Sequence, residues 1–90
     1  STLRAVQRVY IEVLRLSGAD SAEIQAPKID PIPSHNDIAS LASTTRETVA
    51  RVLSELSQSG IVKREGKTLF IQEPAKLRRL SDSAGLEAGI

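Results

Sequence analysis

The segment Thr44-Thr45-Arg46-Glu47-Thr48-Val49-Ala50-Arg51 sets one carboxylate between two guanidinium groups. Arginine's planar fork donates two parallel hydrogen bonds and so matches the paired acceptors on the major-groove edge of guanine. A carboxylate accepts, and matches the exocyclic amine of cytosine. If the segment is helical, Arg46, Glu47, Ala50 and Arg51 centre about 140° away from Val49, Val52, Leu53 and Leu56. One side then has the composition of a core contact and the other that of a surface able to read base edges. A purely local reading stands beside it. Thr44 and Glu47 have the spacing of a capping box, and Glu47 and Arg51 that of a helical ion pair worth about 0.2–0.5 kcal/mol. Thr45 can also serve as the cap by itself.

The elements needed to position these residues are legible around them. From Leu3 to Leu16 the apolar residues Leu3, Val6, Val9, Tyr10, Val13 and Leu14 recur every three or four positions, which predicts an amphipathic leading helix over about 3–16 that Gly18 closes. The connector Ile24-Gln25-Ala26-Pro27-Lys28-Ile29-Asp30-Pro31-Ile32-Pro33 excludes helix through its prolines and allows at most a short edge strand near Ile32. Ser34 has the type of an N-cap, with Asp37 three residues on, and Ile38, Leu41 and Ala42 give the following short helix one apolar side. A second helix is expected over about Thr45–Gln58, ended by Ser59-Gly60. The period then changes. Ile61–Arg64 and Thr68–Ile71 read as strands joined through Glu65-Gly66-Lys67, with Gly66 at positive φ. Pro74 suits the first turn of a short C-terminal helix, and the chain beyond Leu80 reads as a flexible tail.

Composition removes other classes. Ninety residues with 40% hydrophobic and 2% aromatic content support one small aliphatic core. With no cysteine and one histidine, neither a disulfide framework nor a Cys/His zinc site is expected. No metal ligand set and no catalytic residue is assigned: the chain has no Cys nucleophile, no convergent carboxylate pair and no glycine-rich phosphate loop. No apolar run is long enough to span a bilayer and no signal peptide opens the chain, so a cytoplasmic location is expected. The net charge is +1, but Arg46, Arg51, Lys63, Arg64 and Lys67 all fall in the later half, a sign of one basic face.

Two short helices across a tight turn, followed by a hairpin, outline a winged helix-turn-helix, a mainly α fold with a small β-wing. The run from His35 to Ile71 also resembles the DNA-binding domain of the Crp/Fnr family of bacterial transcription regulators, with the similarity extending over roughly residues 4–72. The resemblance rests on the Ile38-Ala39 and Leu41-Ala42 pairs, the Thr45–Leu53 helix and the Gly60–Ile71 wing. It implies that Arg46 and Arg51 meet guanines and Glu47 a cytosine in a TGTGA-like half-site, with Thr45 where the family has a phosphate-contacting serine. Two positions depart from the family: Ser43 stands where the turn usually has Gly, and Thr44 where a small apolar residue is usual.

The chain is accordingly read as residues 1–72, a winged helix-turn-helix, and 73–90, a short helix and tail. Expected backbone contacts are Ser34, His35, Thr45, Lys63, Arg64 and Lys67. The expected partner is double-stranded DNA with inverted-repeat half-sites, read by a homodimer in the full-length protein, with RNA polymerase as a further partner; the fragment alone is expected to be monomeric or weakly associated. No cofactor is expected in this domain. The resemblance places an effector, a cyclic nucleotide among the candidates, in an N-terminal domain for which there is no room before Leu3. The rival readings are a winged-helix protein-interaction module and a nonspecific nucleic-acid binder.

Overall fold

The computed structural model describes residues 2–19, 23 and 26–89, with side chains between residues 4 and 82. It has four helices and a small sheet: α1 (Thr2–Ser17), β1 (Lys28–Ile29), α2 (His35–Ala42), α3 (Arg46–Gln58), β2 (Val62–Glu65), β3 (Thr68–Ile71) and α4 (Pro74–Gly89). This is the mainly α fold with a β-wing that the pattern predicts. Most of the polar stretch after α1, residues 20–22, 24 and 25, lies outside the described residues.

α1 is the element against which the others are built, touching α2, α3, α4 and β1. Its apolar stripe does what the spacing requires: Val9 and Val13 are fully buried, and Val6 and Tyr10 pack against the core from its edge. Ser17 ends the helix. Its hydroxyl donates to the Val13 carbonyl at 2.8 Å and accepts from the Ala19 amide at 3.2 Å, and Gly18 takes φ 80°. Glu12, a charged residue between the apolar positions of α1, is only 7% exposed. One of its oxygens pairs with Arg15 at 3.0 Å, while the other is buried without a partner.

The wing has three strands, ordered β1-β3-β2 and antiparallel throughout. The connector does supply an edge strand, but at Lys28–Ile29 and not near Ile32, because Ile29 is the residue that can drop its side chain beside Leu69 into the core. Ile32 instead donates its amide to the Lys67 carbonyl at 2.9 Å. Between Glu65 and Thr68, Gly66 has φ 62° and Lys67 a negative φ, the signs of a II′ turn with glycine in its first central position.

α4 continues helical to Gly89, past Leu80 where a flexible tail is expected from sequence. It packs on α1 with Leu77 fully buried and Gln7 donating to the Ser81 carbonyl at 3.2 Å, and Arg78 ties it to the turn after α1 by donating to the Ala19 carbonyl at 2.8 Å. Arg78 thus belongs to a structural joint. A second difference lies in α2, where Leu41 is 53% exposed while Ile38, Ala39 and Ala42 are buried. A two-turn helix can present only one narrow face, and the small alanines let it lie close to its neighbours.

Candidate nucleic-acid interface

The turn between α2 and α3 sets the pose of α3. Ser43 adopts the left-handed conformation, φ 54° and ψ 48°. Its amide donates to the Ser40 carbonyl at 3.3 Å and the Thr44 amide to the Ala39 carbonyl at 2.9 Å, which together close a Schellman motif. A left-handed position of the kind that favours glycine is therefore held here by a serine, at the steric cost of its Cβ.

Thr45 follows as the N-cap of α3. Its backbone is extended, its hydroxyl accepts from the Thr48 amide at 3.2 Å, and the two threonine hydroxyls lie 3.0 Å apart. The Thr44–Glu47 capping box is thus not used. Nor is the Glu47–Arg51 ion pair formed: Arg46, Glu47 and Arg51 are all exposed and have no hydrogen-bond or ionic partner among the described residues. On the other side of the helix Val49, Val52 and Leu56 are buried, and Leu53 packs at the core margin. Three side chains with the right chemistry therefore project together from the first turns of one helix, with none of their hydrogen-bonding capacity spent on the protein.

The backbone-contact candidates are distributed unevenly. Ser34 is the N-cap of α2, its hydroxyl accepting from the Asp37 amide at 3.1 Å, and His35 begins that helix. His35, Ala50 and Arg64 are brought round a single cavity between α3 and the wing. Arg64 lies across from Leu69, on the face of the hairpin turned toward α3. Lys63, opposite Phe70, is on the other face and pairs with Glu65 at 3.3 Å. Lys67 is exposed at the turn. The wing cations therefore do not form one cluster. Sequence reasoning missed Ser54, which also lines the cavity one turn beyond Ala50; the signal was its place in the i, i+4 row with Ala50.

Among the described residues no group of His, Cys, Asp or Glu side chains is arranged to hold a metal, and no helix is long and apolar enough to cross a membrane. Tyr10 of α1 has a displaced pKa. Burial of the phenol, and then the nearby Glu55 carboxylate of α3, push it above the usual tyrosine value.

Comparison with known families decides the lineage. Residues 7–80 match the model of the Crp-like helix-turn-helix domain. The chain belongs to that family. Its class is the DNA-binding domain of transcription regulators, which is not an enzyme class. This Crp-like domain is 40% identical over 47 residues to the cyclic AMP receptor protein of Thermus thermophilus, a stretch that makes up 52% of the chain and 22% of that protein. Among solved structures it is similar to the catabolite activator protein of the same organism, with 32% identity, a TM-score of 0.71, and coverage of 93% of this chain and 37% of the other. The CO-dependent transcription factor CooA from Carboxydothermus hydrogenoformans shares the fold, with a TM-score of 0.64 at 24% identity over 82% of this chain and 36% of CooA. The Crp-like domain thus spans well under half the length of these relatives.

Proposed function

We propose that α3 enters the major groove of duplex DNA and reads a TGTGA-like half-site, Arg46 and Arg51 each donating to a guanine and Glu47 accepting from a cytosine amine. The observation that carries this reading is that all three side chains are exposed and unpartnered while Thr45 alone satisfies the cap. A glutamate needed for capping would have its carboxylate turned back on the backbone. Here it is left to the solvent side between two arginines.

Ser34, His35, Thr45, Arg64 and Lys67 contact the flanking phosphates in this reading, with Lys63 a weaker contributor because Glu65 shares its charge. In the full-length protein two such domains read an inverted repeat as a homodimer, an effector domain that binds a small molecule such as a cyclic nucleotide governs their spacing, and RNA polymerase is a further partner. The similarity to a cyclic AMP receptor protein supports this arrangement.

The test is fluorescence anisotropy against a duplex bearing two inverted TGTGA half-sites and against a scrambled duplex of equal composition, over a salt series. A preference that persists as salt rises is expected, because base contacts release few counterions. Equal affinity for both duplexes overturns the half-site assignment. Arg51→Lys separates base reading from docking of an acidic protein partner: a guanine contact loses its fork, whereas a generic charge contact tolerates the change.

A further inference from the structure

The cavity between α3 and the wing has a chemistry that base reading does not use. It measures about 230 Å³, roughly the liquid volume of seven or eight waters. That is smaller than a drug-sized pocket and suits a molecule of about eight non-hydrogen atoms. Leu53, Val62 and Leu69 supply an aliphatic lining, Ser54 a hydroxyl, and His35 and Arg64 the groups that bear or can bear positive charge. No carboxylate is in the lining. Arg64 spends only its Nε, on the Gly66 carbonyl at 3.3 Å, so both terminal nitrogens remain to donate. His35 is the first residue of α2, which brings the positive end of that helix to the same mouth. Asp37, two residues on, is not part of the lining.

We infer that this cavity binds a small aliphatic carboxylic acid, its tail against Leu53, Val62 and Leu69 and its carboxylate held by Arg64 and His35, and that the bound acid competes with DNA. Charge complementarity favours this occupant: the lining is apolar at depth, cationic at the mouth and free of acids. The competition rests on the reading proposed above, in which the same two side chains face phosphates. The binding itself does not.

The experiment titrates the ¹⁵N-labelled chain, without DNA, with hexanoate, hexylamine and inorganic phosphate in turn. Hexanoate is expected to give saturable amide shifts confined to α3 from Ala50 onward, β2, β3 around Leu69 and the start of α2. Hexylamine is expected to give none there, and phosphate no saturation over the same range. Arg64→Gln should weaken hexanoate at least about fivefold, and Lys63→Gln, on the opposite face, by less than about twofold. Absence of saturation overturns the proposal, as do equal shifts from hexylamine, which would mean tail partitioning alone, and equal shifts from phosphate, which would mean a plain anion contact. In a chain that binds duplex, saturating hexanoate should lower affinity for specific and scrambled DNA alike relative to chloride at the same ionic strength. Unchanged affinity with the cavity occupied overturns the competition.

Discussion

Arg46, Glu47 and Arg51 differ in kind from Lys67, although all are exposed. A forked donor or a paired acceptor on a rigid helix discriminates between bases, whereas an amine at a turn neutralises whatever phosphate is near. Glu47→Ala is therefore expected to cost about 1–3 kcal/mol of discrimination at one cytosine position and leave the others intact, a result that a panel of single-base-pair variants in the half-site would resolve. Lys67→Ala should weaken every duplex by the same factor and flatten the plot of log affinity against log salt by about one. Lys63→Ala should flatten it less, since Glu65 already shares that charge at 3.3 Å. A Glu47→Ala protein that still distinguishes every base pair would return that residue to a local helical role. Ser43 offers a separate test. A left-handed serine carries a penalty of about 1–2 kcal/mol, partly offset by the backbone entropy that glycine loses on folding. Ser43→Gly should thus raise stability by roughly 0.5–1 kcal/mol in urea denaturation.

At the scale of elements, α1 and α3 meet around Tyr10. The chain has one tyrosine and no tryptophan, so the tyrosinate absorption band reports on this phenol alone. Its folded pKa is raised, so the protonated form is the one the fold favours. The stability it contributes is complete below the unfolded value of about 10 and is lost as pH climbs from there through the folded value. The tyrosinate absorbance should rise later in the native protein than in denaturant, and Tyr10→Phe should lessen the loss of stability above that pH. α4 gives a second test. Leu77 is fully buried against α1, and Leu77→Ala is expected to cost about 2–5 kcal/mol, seen as a lowered melting temperature. How much of these elements sequence reveals follows from what makes a pattern. α3 was legible because Val49, Val52 and Leu56 repeat at helical spacing while Arg46, Glu47 and Arg51 fall between them. Lys28–Ile29 was not, since two residues have no period and their partner strand lies far downstream. The burial of Glu12 and the exposure of Leu41 were hidden for a related reason: residue type predicts an average environment, and a small domain of crowded helices departs from the average one side chain at a time.

For the whole molecule, the proposed reading gives a single α3 one half-site to engage, so affinity and specificity are both expected to be limited in isolation. Tethering two copies through a flexible linker should raise affinity for the inverted repeat by about 10²–10⁴ when the linker spans the sites, with little gain on a duplex holding one half-site. Failure of the tethered pair to prefer the repeat would point away from a symmetric arrangement on DNA. The exposure of Arg46, Glu47 and Arg51 on one side of α3 was the part of the candidate site that residues alone reached furthest, because helical spacing separates them from the apolar positions. The split of Lys63 from Arg64 was not, because it depends on which face of a strand each occupies.

The wing, finally, is not a free finger. The Pro27 carbonyl accepts from Ile71 at its root, Ile29 lies beside Leu69, and Ile32 donates to the Lys67 carbonyl at the tip. The proline-spaced connector leading to α2 therefore works as a ruler laid along the hairpin, fixing how far the tip amine stands from the reading helix. In the reading proposed above, adding or removing one connector residue would shift that distance without touching Arg46, Glu47 or Arg51, so the footprint on DNA and the sequence being read should change independently of one another.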